Sequence, residues 1–150
     1  MPGFISDSPR ARDLIRIGNE AIAREDEAKL RAYFAEDYVF HGPGGDLTFE
    51  QLRAYFASLR AAFSGLRLVR EQIIAEGKFL AARTIFSGRF TGVFAQSPIG
   101  SVEPTGEPVE FEVVGIFRYD EDGRLAEEWV QTDYRGLLTK LGVTTTESGA

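Results

Sequence analysis

The densest chemistry in the chain lies in Leu125-Ala126-Glu127-Glu128-Trp129-Val130-Gln131-Thr132-Asp133. Side chains alternate along an extended segment, so Leu125, Glu127, Trp129, Gln131 and Asp133 share one face. That face carries the only tryptophan, together with two carboxylates and an amide. Indoles are costly to expose, and Asp and Glu are almost never buried unpaired. The mixture suits a pocket wall, with apolar contact area and a few polar groups. The plainer arrangement buries Trp129 alone and leaves the acids in water at the strand ends. Inside an apolar pocket, desolvation raises a carboxyl pKa into the range useful for acid–base work. Asp133 would then remove a proton next to a substrate carbonyl, or protonate a developing alkoxide. Its replacement by Asn would lower turnover about 10²–10⁴-fold. Glu127 competes for the role but sits six residues back, roughly 20 Å along a strand. The two are too far apart for a close acid pair.

His41 is the only histidine. It closes the short extended segment Tyr38-Val39-Phe40-His41 and precedes a glycine-rich break, a place from which a side chain enters a cavity mouth. Neutral near pH 7, it would donate to or accept from a substrate oxygen. The alternative is a half-buried histidine bonded to a loop carbonyl. With one His and no Cys, zinc ligation and thiol chemistry drop out. Asp120-Glu121-Asp122 reads as a solvated turn rather than a metal site. No Gly-x-Ser-x-Gly elbow supports a serine nucleophile. Gly42-Pro43-Gly44-Gly45 lacks the spacing of a dinucleotide loop. Arg83 and Arg118 lie within strands, where each either snorkels to solvent or pairs with an acid in the pocket.

These residues need elements to place them. Ser8-Pro9 opens a first helix with Leu14, Ile17, Ala21 and Ile22 at helical spacing. A short second helix covers Glu27 to Phe34. Thr48 and Gln51 form a capping box, and Leu52, Tyr55, Phe56, Leu59 and Phe63 behind it make one buried stripe. From Leu66 the period changes. Strands are expected over 66–75, 79–90, 109–119 and 125–133, with Gly92 to Pro108 a loop. Asp122-Gly123 makes the tightest turn signal. A last helical turn covers Gly136 to Gly142. Helices followed by a run of strands joined by hairpins mean α+β. The helices cover one face of a curved antiparallel sheet and enclose a conical cavity suited to a small apolar ligand.

The chain has 150 residues, 43% of them hydrophobic, with twelve Phe. That is one domain able to bury a core without staples, with the core expected over 10–142 and residues 143–150 a frayed tail. Seventeen basic residues against 23 acidic ones give a net charge of −6 with no basic run, which argues against nucleic acid as a partner. No apolar run approaches a membrane span, and the first ten residues lack a secretory pattern. With no Cys, this fits a cytoplasmic protein.

Taken together, the chain resembles the SnoaL-like polyketide cyclases, also described as predicted ester cyclases, of the nuclear transport factor 2-like superfamily. The resemblance runs from about residue 10 to 142. It rests on Tyr38-Val39-Phe40-His41-Gly42-Pro43, Ala62-Phe63-Ser64-Gly65-Leu66, Ala82-Arg83, Gly88-Arg89-Phe90-Thr91-Gly92 and Pro104-Thr105-Gly106. It closes on Gly123-Arg124-Leu125-Ala126-Glu127-Glu128-Trp129, Asp133, Gly136-Leu137-Leu138 and Leu141-Gly142. The resemblance implies a cone-shaped α+β barrel, dimeric through its sheet, with a cofactor-free pocket. It also implies an acid at the end of the last long strand that drives intramolecular aldol closure of a polyketide ester. Asp133 matches that position. Many relatives carry a histidine two residues before the Gly of the Gly-x-Phe-x-Gly segment, where this chain has Phe86. The superfamily also uses its cavity for isomerases, epoxide hydrolases and pure binders. An epoxide hydrolase would want an Asp-Arg-Asp set, of which Arg118 and Asp133 supply part.

The expectation is therefore a cofactor-independent acid–base enzyme, a homodimer with no metal, acting on a small apolar carbonyl or polyketide-like compound. Asp133 and His41 are its catalytic candidates, and Trp129, Glu127, Gln131, Phe86, Tyr38 and Phe56 its pocket. A non-catalytic binder and an epoxide hydrolase or isomerase are the alternatives.

Overall fold

Ser8 caps the first helix, α1 (Pro9–Ile17), by accepting a hydrogen bond from the Ala11 N–H at 3.2 Å. The structure, a computed structural model, describes residues 3–143. The tail expected to fray, 143–150, lies outside them apart from Val143. The helix continues into a π-helical turn, Gly18–Ile22, in which the Ala23 N–H reaches the Gly18 carbonyl. Asp26 caps α2 (Glu27–Tyr33). The Thr48–Gln51 capping box forms in both directions and opens α3 (Phe49–Ala62), whose buried side is Leu52, Phe56, Leu59 and Ala62.

Eight strands follow the expected plan with three additions. The expected extended segment is β1 (Phe34–Gly42), and the glycine-rich break turns it back into a short β2 (Gly45–Thr48). The long strands are β3 (Phe63–Glu76), β4 (Phe79–Phe90), β7 (Pro108–Tyr119) and β8 (Leu125–Thr132). Inside the expected loop, β5 (Phe94–Ser97) and β6 (Gly100–Val102) pair as a small separate hairpin. A short α4 (Tyr134–Lys140) ends the fold.

The main sheet has the order β2-β1-β8-β7-β4-β3. Hairpins make β3, β4, β7 and β8 antiparallel. The sheet as a whole is mixed, because β1 and β8 pair in parallel. Parallel neighbours need a long connection between them, and these two strands are separated by most of the chain. The sheet stays open, with β2 and β3 at its edges. Its concave side packs Leu68, Leu80, Ala82, Phe86, Phe111 and Phe117 against Leu14, Ile17, Leu30, Leu52, Phe56 and Leu59. Among the described residues no helix is long and apolar enough to cross a membrane.

Candidate active site

Between the helices and the concave sheet face lies a hollow of about 80 Å³. Its wall is mainly apolar: Leu14, Ile17 and Ile22 from the first helical segments, Phe56 from α3, Phe86 and Phe111 from the sheet. Polar groups reach it at few places, notably Tyr33, Arg70, Thr84 and Glu128. Phe86 stacks on Phe111 with ring centres 5.1 Å apart, so Phe86 is part of an aromatic wall.

Glu128 is the acid of this hollow. It is buried, and the Tyr38 hydroxyl donates to its Oε1 at 2.5 Å. Burial pushes the Glu128 carboxyl up to about 7, while the Tyr38 hydrogen bond and the nearby Arg70 cation pull the other way. Tyr38 does not line the hollow but stands behind the acid and fixes it. Burial and the neighbouring Glu128 charge drive its phenol far above the usual range. Beside this pair the hydroxyls of Tyr33 and Tyr119 share a short hydrogen bond. Burial raises both phenols as well, so both stay neutral donors.

Arg70 enters from β3. One Nη donates to the Thr84 hydroxyl at 2.8 Å and the other reaches the Leu14 carbonyl at 3.4 Å. Its Nε is sealed from water and has no hydrogen-bond partner. Burial lowers the Arg70 pKa, and the fields of Tyr33 and Glu128 act against that. Gly18 makes room for this guanidinium: a Cβ there would sit 3.2 Å from Nη2.

The catalytic acid expected from the sequence stands elsewhere. Asp133 is exposed and does not line the hollow. Its carboxylate accepts from the Gly136 N–H at 2.9 Å and caps α4. Glu127, Trp129 and Gln131 also point away, and Trp129 is 40% exposed. The face expected to wall the pocket is the outer face. The physical reason is a β-bulge. Tyr119 pairs with Leu125 and Arg118 with Glu127, so Ala126 is an extra residue. A bulge flips the alternation. Leu125 therefore lines the hollow, and so do Glu128, Val130 and Thr132 beyond the bulge.

His41 is on the outer face too, because alternation on β1 turns Phe40 inward and His41 outward. Its Nδ1 lies 2.8 Å from Asp46 Oδ1 and its Nε2 2.7 Å from Glu127 Oε2. Its ring stacks on Trp129 at 5.4 Å. The Glu127 and Asp46 contacts raise the imidazole pKa, and those with His41 and Arg118 lower that of Glu127. This is an outer-surface ion cluster, with Arg118 Nε donating to Glu127 at 3.1 Å. Of the expected pocket residues, Phe56 and Phe86 line the hollow and Tyr38 backs it. Among the described residues no group of three His, Cys, Asp or Glu side chains is placed to hold a metal.

Glu128, Arg70, Tyr33 and Tyr119 did not stand out in the sequence. Arg70 follows Leu68 at a spacing of two on β3, which places it on the same inward side. Glu128 sits between Ala126 and Val130, an apolar setting for a charge. Both signals are weak beside a lone tryptophan.

The family model described as SnoaL-like polyketide cyclase matches residues 12–141. The chain belongs to this family. Solved structures of similar shape include a SnoaL-like polyketide-cyclase candidate from Jannaschia sp. CCS1, 21% identical, covering 93% of this chain and 98% of that one, with a TM-score of 0.77. IdmH, a polyketide-cyclase candidate from Streptomyces antibioticus, is 25% identical over 91% of this chain and 100% of its own, at a TM-score of 0.72. AclR, a hydroxylase candidate from Streptomyces galilaeus, is 23% identical over 91% and 83%, at 0.76. No curated protein matches the chain by sequence. The architecture is that of the nuclear transport factor 2-like fold. In this SnoaL-like chain, the acid that faces the hollow is Glu128.

Proposed function

We propose that the hollow carries out proton transfer next to a carbonyl group, with Glu128 as base and then acid. The observation that supports this most is a buried carboxyl, pushed up to about 7, on the wall of an otherwise apolar hollow. A group with that pKa takes and returns a proton near neutrality. Charged Glu128 removes the proton from carbon, and the electron pair moves to the carbonyl oxygen as an enolate. In an aldol closure the enolate carbon then bonds a second carbonyl carbon of the same molecule. Its oxygen, becoming an alkoxide, receives the proton back from neutral Glu128. Tyr38 holds the carboxyl in place throughout.

The small volume sets what reaches the acid. Ligand pockets usually measure about 300–1,000 Å³, so only a small compound, or one short arm of a larger polyketide, approaches Glu128. The partner proposed for the chain is a second copy, through the outer sheet face.

The test is deuterium exchange. Butanone in D₂O, followed by proton NMR, should lose its α-protons faster with the protein present. Glu128→Gln should slow that exchange about 10²–10⁴-fold, and Asp133→Asn should leave it unchanged. Equal exchange in the wild type and Glu128→Gln would sink the proposal and favour a binder.

A further inference from the structure

We propose that Arg70 is an anchor for a carboxylate in the hollow, so that an oxo acid binds there in preference to its neutral counterpart. This rests on the proposed role of the hollow but on a different residue.

Arg70 is a cation whose charge has no direct counter-ion. Among the described residues no carboxylate oxygen lies within salt-bridge distance of its nitrogens. The hydrogen-bond partners of its guanidinium are two neutral oxygens, the Thr84 hydroxyl and the Leu14 carbonyl. A guanidinium has five N–H donors in a planar fork, so most of that fork is unused. Nε is both unpartnered and shut off from water. An unmade hydrogen bond at a buried charged group costs more than at a neutral one, and such orphans in folded proteins call for an explanation. The fold also makes space for this group, since Gly18 in the π-helical turn leaves out the Cβ that would crowd Nη2.

Two structural explanations fail. Glu128 is close enough for its field to be felt by Arg70, yet its carboxyl is bonded to Tyr38 instead. Snorkelling fails as well, because Nε is buried. Arg70 nonetheless lines the hollow, so an incoming acceptor meets the guanidinium at its Nη groups, Nε being sealed. A carboxylate matches the fork with two oxygens and brings the missing charge. Arg70 and Glu128 both line the hollow, so a ligand held by its carboxylate at Arg70 presents its neighbouring carbons to Glu128. A volume of about 80 Å³ suits an acid of a few heavy atoms, or the acidic end of a longer one.

The experiment compares propanoate with propanamide, near-isosteres that differ in charge, by NMR titration of the ¹⁵N-labelled protein at pH 6. Propanoate should bind at least tenfold more tightly and shift the amides of Leu14, Gly18, Arg70 and Thr84. In Arg70→Met that preference should vanish. Should that variant fail to fold, Arg70→Lys keeps the charge but loses the planar fork, and its propanoate affinity should fall at least threefold. Equal affinity for the two probes overturns the proposal. So does a preference unchanged in Arg70→Met, wild-type affinity in Arg70→Lys, or shifts confined to surface cations. Glu128→Gln separates the two readings. It should slow α-proton exchange about 10²–10⁴-fold while keeping the propanoate preference, so a wild type that shows no exchange but keeps the preference counts against proton transfer alone.

Discussion

Glu128 carries a charge into the hollow at high pH and none at low pH, and stability must follow. Its folded pKa is raised from 4.5 to about 7, so between those values the folded chain holds a proton that the unfolded chain has released. Stability from this group therefore falls as pH rises from about 4.5 through 7. At about 1.4 kcal/mol per unit, the cost of the charged form at pH 8 is on the order of 3 kcal/mol. Glu128→Gln keeps an oxygen for the Tyr38 hydroxyl and removes the charge. It should unfold at a higher temperature than the wild type at pH 8, with the gap closing near pH 4.5 in calorimetry. A gap that does not change with pH would mean Glu128 is not the titrating group. His41 shifts for the opposite reason. Its carboxylate partners favour the cation, so its NMR titration midpoint should lie above 6.5 and move back in Glu127→Gln. Trp129 shows why the sequence misled at this scale. The indole is the bulkiest apolar side chain in its strand, and bulk signals burial on average, whereas here Trp129 lies over His41 on the outside.

At the scale of elements, Asp133 ends β8 and starts α4, and its role is local. A side-chain oxygen accepting from the backbone of the first turn is worth about 0.5–2 kcal/mol. Asp133→Ala should lower thermal stability by about that much, while Asp133→Asn, an equally good cap, should not. Neither should change α-proton exchange. A large loss of exchange in Asp133→Asn would restore this residue as the acid. The sequence made two of the helices legible because caps are local: Ser8 and Thr48 each act within three residues. The strands were legible as lengths but not as faces. The bulge at Ala126 leaves no mark in composition, yet a one-residue shift exchanges every inward side chain for an outward one. That single insertion moved Glu127, Trp129 and Gln131 out and Glu128 in. The parallel pairing of β1 with β8 was hidden for a related reason, since contacts between distant segments have no turn to announce them.

On the scale of the whole molecule, the sheet separates two surfaces with different work. Along its outer side the register lines up Ile74, Ala81, Ile116, Trp129 and His41 as one row across five strands. Ile74, Ile116 and Trp129 in that row are exposed, as is Val114 in the next. Polar and charged side chains flank the row, with Gln72, Arg83 and Gln131 on one side and Arg118 and Glu127 on the other. An apolar centre with a polar rim is the anatomy of a protein interface, and a two-fold pair would bring this patch against itself. Ile116→Lys puts like charges at the centre of such a pair. Sedimentation equilibrium should give a dimer for the wild type and a monomer for Ile116→Lys, and a wild type that stays monomeric at all concentrations would remove the homodimer. Because Glu128 and Arg70 line the opposite side of the sheet, the monomeric variant should still exchange the α-protons of butanone and still prefer propanoate to propanamide. Loss of both on dissociation would mean that the partner shapes the hollow through the strands the two faces share.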